Sequence, residues 1–198
     1  MNTRNIQITF NILLIIFGII GFIFVFSDLG IISLEYYTEL SNLMLLISSV
    51  TILIFLLKNK EFPRWLEILR YVAVVSTTLT LFIVITVLSW TTSLGLENLM
   101  FHSSNLYHHT LCPVIALLSF IILEKYDNLK ASDGIWFTLA YAIVMIILNY
   151  LKIVEGPYPF LRIYSQPLIH SVIWFVVIVS ITYIISLILK KGNGKVII

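Results

Sequence analysis

Charge is scarce in this chain. Lysine, arginine, aspartate and glutamate make up 11% of its 198 residues, against about 25% in an ordinary globular protein. That shortage excludes a normal water-facing surface. Cysteine is nearly absent as well. Cys112 stands alone, so no disulfide can form within the chain. Also missing is the alternation of apolar and polar residues that marks a membrane barrel strand. What the chain has instead is apolar residues, 60% of the total, gathered into long runs. About 20 helical residues cross the roughly 30 Å hydrocarbon core of a bilayer. Helix is the expected form, because a span must satisfy its own backbone hydrogen bonds.

Six such runs occur, at about 6–27, 34–57, 66–91, 105–123, 133–152 and 168–189. They predict an all-α polytopic membrane protein, a bundle of six transmembrane helices forming a single transmembrane domain over 1–198. The loops are short, so consecutive helices should pack antiparallel. The first run is a full span without a clear small-residue cleavage site after it, which predicts an anchor rather than a signal peptide. Gly18 and Gly21 in that run would let a neighbouring helix approach closely.

Orientation follows from the basic residues. Arg4, Lys58, Lys60, Arg64, Arg70, Lys125, Lys130, Lys190, Lys191 and Lys195 fall on one side, ten of the 12 lysines and arginines. Lys152 and Arg162 fall on the other. Positive charge is retained inside, so a multi-pass protein of the cell membrane with both termini cytoplasmic is expected. Trp65, Trp90, Tyr36 and Tyr37 lie near span ends, where interfacial aromatics collect.

The remaining polar residues gather at the opposite, outer ends. His102, His108, His109 and His170 are all there, with Asp28, Glu35, Glu39, Lys152, Glu155 and Arg162. On the second span, Ser33 is a plausible N-cap and Glu35 suits the first turn. Thr38, Asn42 and Ser49 share one helical face, which should point into the bundle. Interhelical hydrogen bonding alone would also account for them. On the fourth span, His102, Asn105, His109, Cys112 and Ala116 recur at steps of three and four. That stripe favours His109 for the interior and turns His108 toward the interface or lipid. Pro113 should bend the helix near His109. After the fifth span, Lys152 could snorkel, or pair with Glu155 or an acid of the second span. The Gly156-Pro157-Tyr158-Pro159 run cannot be regular helix and should form a stiff outer cover. Gln166 and His170 share a face at the start of the sixth span.

Three segments together resemble the androgen-induced membrane protein family, six-helix proteins that in animals hydrolyse fatty acid esters of hydroxy fatty acids, with similar bacterial relatives. They are Tyr37-Thr38-x-x-Ser41-Asn42-Leu43, His109-x-x-x-Pro113 and Gly156-x-Tyr158-Pro159-Phe160-Leu161. Their order and spacing cover nearly the whole chain. The resemblance implies a catalytic threonine at Thr38. It implies a catalytic histidine at His108 when counted back from the proline as in the animal pattern, or at His109 by the bacterial pattern and the helical stripe.

The implied reaction is ester hydrolysis at the outer leaflet. Thr38 would attack and a histidine would take its proton. Asn42 or Asn105 would donate to the oxyanion and Glu39 would orient the imidazole. Ser41, Lys152 and Tyr158 are further supporting or substrate-binding candidates. Membrane lipid and an acyl ester are the expected partners. No nucleic acid, cofactor or resident metal is expected. Two other functions remain open. One is a lipid-binding, transport or accessory protein without catalysis. The other is a metal-dependent membrane hydrolase, since four histidines and several carboxylates share one side; no His-Glu-x-x-His motif is present to support it.

Overall fold

The computed structural model describes residues 3–194, which leaves Lys195 outside the described residues. Helix α1 spans Thr3–Leu29. A 3-10 turn, Gly30–Glu35, leads to α2, Tyr37–Leu57. Helix α3 runs Arg64–Ile83 and continues through a π turn, Val84–Leu88, into Ser89–Thr91. Helix α4 is short, Gly95–Phe101. A second π turn, Leu106–Leu111, opens onto α5, Cys112–Ile122. Helix α6 is Trp136–Tyr150, entered through Asp133–Ile135, and α7 is Leu168–Gly192. No strand occurs among the described residues.

Five segments are long and apolar enough to cross a membrane: Thr3–Glu35, Tyr37–Leu57, Arg64–Thr91, Asp133–Tyr150 and Leu168–Gly192. A sixth exists if Gly95–Phe101 and Leu106–Ile122, bent by 84° at their junction, count as one. The outer surface of the bundle is correspondingly greasy. Ile23, Ile31, Leu168 and Ile188 are all more than half exposed. Monomeric soluble proteins rarely show apolar patches on this scale. The protein is an integral membrane protein of the multi-pass, all-α type.

The fourth expected span, 105–123, is not α-helical throughout. Its first turn is π and only the remainder is α. Pro113 supplies the reason. It lacks the N–H that would bond the His109 carbonyl, and its ring crowds that carbonyl. Widening the preceding turn relieves the crowding. Helix α4, in the segment before it, was not expected at all. The second span also starts later than expected. Ser33 does not cap it; its hydroxyl donates to the Gly30 carbonyl at 2.7 Å, and the helix begins at Tyr37.

Helix α3 is the centre of the bundle and packs against α2, α5, α6 and α7. Every residue from Tyr71 to Thr77 is buried. At its basic end, Arg70 is not an interfacial cation. It is fully buried, with its Nη2 2.8 Å from Glu124 Oε1 and its Nη1 donating to Ser49 Oγ at 3.0 Å. Ser119 and Tyr126 donate to the same carboxylate at 2.7 and 2.8 Å. The network is well satisfied, as a buried ion pair must be. It ties α2, α3 and α5 together at that end.

Candidate functional site

The opposite end holds the histidines and the start of α2. There, adjacent residues of α2 face different surroundings. Tyr37 and Thr38 turn toward α3, α6, α7 and the loop after α6. Glu39 turns toward α1 and the π turn before α5.

On the first side lies a cavity of about 60 Å³. Its floor and walls are apolar: Leu79 and Ile83 of α3, Ala142 and Ile146 of α6, Trp174 and Ile178 of α7. No lining residue carries a charge. Hydroxyls of Thr38, Thr80, Thr138, Tyr158 and Ser171 also line it. The loop between α6 and α7 covers it with Tyr158, Phe160 and Leu161, as the proline-rich sequence predicts. Asn149, buried at the end of α6, holds both sides of that loop. Its amide donates to the Val154 carbonyl at 3.0 Å, and its carbonyl accepts from the Ile163 N–H at 3.0 Å. Gly156 makes the sharp turn with φ +76, and a Cβ there would press on the Leu161 carbonyl at 3.1 Å. Glycine alone suits both conditions.

Tyr158 brings the loop onto Thr38. Its hydroxyl lies 3.4 Å from Thr38 Oγ1 and accepts from the Thr38 N–H at 3.4 Å. Removal from water pushes the Tyr158 phenol up to about 12, against a usual value near 10. It is therefore a neutral hydroxyl at physiological pH. Tyr37, read as an interfacial aromatic, is instead buried, and its hydroxyl is 2.8 Å from Thr138 Oγ1. Tyr141 donates to the Glu35 carbonyl at 2.7 Å.

On the second side, His108 is buried at 1% exposure, with Nδ1 2.6 Å from Glu39 Oε2. Its Nε2 lies 3.3 Å from the Gly18 carbonyl oxygen. Phe22 meets the ring edge-on at 4.7 Å. A Cβ on Gly21 would overlap the imidazole, so Gly21 gives the ring its place. Asn42 completes the set by donating to the carbonyls of Thr38 and His108 at 2.9 and 3.0 Å.

This reverses the expected roles of the two histidines. His108, not His109, is the interior one. The π turn is the cause. Each of its residues advances the chain by less than the about 100° of an α-helix. Four residues then bring His108 into line with buried Cys112, and the three from His109 fall short. His109 is half-buried, and its Nδ1 lies 2.6 Å from the Leu99 carbonyl of α4.

The other candidates disperse. Thr38, Asn42, Asn105 and His109 do not line one cavity. Asn105 donates to the Asn98 carbonyl at 3.0 Å, in an exposed position. Ser41 donates to the Thr38 carbonyl at 2.9 Å, with Thr80 Oγ1 at 3.4 Å. Lys152 pairs with neither Glu155 nor an acid of α2. Its ammonium sits 5.3 Å from the centre of the Tyr164 ring, while Glu155 faces Arg162 at 3.8 Å. Among the described residues, no three histidine, cysteine, aspartate or glutamate side chains converge as a metal site requires.

Two features were missed in the sequence. One is the set of hydroxyls from α6, although Thr138 and Tyr141 stand three apart on one face. The other is the Arg70–Glu124 network, whose members are distant in the chain. Compared with known proteins, the chain matches no family model, no curated protein and no solved structure.

Proposed function

We propose that this membrane protein binds a lipid whose polar end lies at Thr38 and Tyr158, the small cavity between α3, α6 and α7 taking the adjoining part of one acyl chain and the bilayer taking the rest. One observation carries the reading. The cavity has an uncharged, largely apolar lining, and Thr38 and Tyr158 meet on it. Ligand sites generally combine apolar walls with a few placed polar groups.

Ester hydrolysis by Thr38 is the second reading, and the position of the Thr38 hydroxyl on the cavity wall favours it. What hydrolysis needs is a base beside that hydroxyl. The contact Thr38 has is the Tyr158 hydroxyl, a weak base. His108 points its Nε2 at the Gly18 carbonyl, away from Thr38. For this reason we favour binding over turnover.

Purified protein supplied with long-chain esters separates the two. Binding without acid release, retained in Thr38→Ala, supports a lipid-binding protein. Acid release that vanishes in Thr38→Ala and survives in Thr38→Ser selects the hydrolase. Release that resists Thr38→Ala but stops with chelator would point to a metal enzyme instead.

A further inference from the structure

We propose that Lys125, Lys190 and Lys191 form a binding site for the phosphate of an anionic phospholipid. The site lies at the Arg70 end of the bundle, the inner end in the expected topology, and does not depend on the Thr38 cavity.

The ends of α5 and α7 are fastened together there. Asn193, just past α7, donates its amide to the carbonyls of Phe120 at 3.3 Å and Glu124 at 3.0 Å. Its side-chain carbonyl accepts from the Tyr126 N–H at 2.8 Å. Lys125 then lies across Gly194, where an added Cβ would come within 2.9 Å of the lysine Cγ. Lys190 and Lys191 stand in the last turn of α7, immediately before this junction. The fold thus gathers three lysines from two parts of the chain, and all three are exposed.

Their charge is not neutralised by the protein around them. Among the described residues, none of the three makes an ion pair. The adjacent carboxylate, Glu124, is buried against Arg70 at 2.8 Å. Asp127 is drawn toward α3, where Arg64 donates to its backbone carbonyl at 2.7 Å. Carbonyls at the end of a helix attract cations, but those ending α5 are already taken. Asn193 holds those of Phe120 and Glu124, and Gln7 holds that of Leu123. The end of α7 favours Lys190 and Lys191 without cancelling three charges. Ammonium groups so gathered repel one another until an anion joins them.

The surface beside the lysines decides what kind of anion. Ile184, Ile188 and Lys191 follow one another at steps of four and three, so they form one stripe of α7. Both isoleucines are more than half exposed. Helix α7 is long and apolar enough to span the bilayer, which puts the stripe in hydrocarbon and the lysines at its edge. A phospholipid uses both parts: its phosphate meets the ammonium groups and its chains lie along Ile184 and Ile188. A dissolved phosphate would use only the first. Lysine binds phosphate as a point charge. Each lysine at a membrane surface is worth roughly fivefold in binding to anionic lipid.

The test compares phosphatidylglycerol and phosphatidylcholine that carry the same diazirine-bearing chain. Each is added in trace amount to the full-length protein in phosphatidylcholine nanodiscs, and labelled residues are located by mass spectrometry. Phosphatidylglycerol should label the Ile184–Ile188 stripe at least about tenfold more than phosphatidylcholine. The triple variant Lys125→Gln, Lys190→Gln, Lys191→Gln should bring that ratio below about twofold. Lys58→Gln with Lys60→Gln changes two exposed lysines of the same end outside the site, and should leave the ratio within about twofold of wild type. Excess inorganic phosphate, at matched ionic strength, should not compete. A wild-type ratio near one would overturn the site. So would an equal loss in the Lys58, Lys60 variant, which marks a diffuse basic surface, or displacement of the lipid by inorganic phosphate.

Discussion

Replacing Glu39 with leucine should destabilise the bundle far more than replacing Glu39 and His108 together. The imidazole lies between two acceptors, the Glu39 carboxylate at 2.6 Å from Nδ1 and the Gly18 carbonyl at 3.3 Å from Nε2. His108 is thus a link between α1, α2 and the turn before α5. Glu39→Leu strands the ring's Nδ1 side in an apolar interior, which costs about 3–5 kcal/mol. The Glu39→Leu, His108→Leu double variant removes both polar groups and should fall within about 1 kcal/mol of the wild type. Steric-trap or thermal unfolding in micelles on the four proteins of the cycle gives the coupling, expected at about 5 kcal/mol or more, because either single variant strands its partner and the double variant strands neither. Neutral hydrogen bonds between membrane helices average about 0.6 kcal/mol. A coupling that small would refute the link.

Three further outcomes are expected. Gly21→Ala should cost about 1–3 kcal/mol, because its Cβ meets the His108 ring, whereas Gly18→Ala meets Leu46 at an ordinary 3.5 Å and should be nearly neutral; unfolding midpoints compare the two. The Tyr158 phenol, raised by burial to about 12 from about 10 when unfolded, contributes stability that is complete below pH 10 and lost as pH rises to about 12; the stability gap between wild type and Tyr158→Phe should narrow across that window and stay constant from pH 6 to 9. Single cysteines at Asn98 and Glu155 should react with an impermeant thiol reagent from outside the cell, and those at Asn59 and Asn128 only after permeabilisation; the reverse pattern would invert the proposed topology.

The spans were legible because their signal is local. Each is a continuous apolar run, and α1, α2, α3, α6 and α7 lie within a few residues of the runs that predict them. The inward polar face of α2 was legible for the same reason: Thr38, Asn42 and Ser49 are all buried. The choice between His108 and His109 was not, since it depends on a turn type. An α-helical count assumes about 100° per residue, and one π turn is enough to exchange neighbours. The effect of Pro113 was anticipated as a bend, but not as a change of register. Nor could the separation of Thr38 from the histidines be read in advance. It follows from where α3, α6 and the loop after α6 pack against α2. Arg70 shows the same gap: a basic residue near a span end reads as interfacial, and only its fold partners, Glu124 and Ser49, make it interior.

The most direct test of the account is whether a lipid chain occupies the cavity. Native mass spectrometry of the protein released from nanodiscs, followed by lipid identification, measures this. One acyl lipid should remain with each wild-type molecule. Ala142→Phe, which projects a ring from α6 into the cavity, should lose it while keeping its helical circular dichroism and its unfolding midpoint within a few degrees. Equal lipid retention by wild type and Ala142→Phe, or no retained lipid in either, would contradict the account.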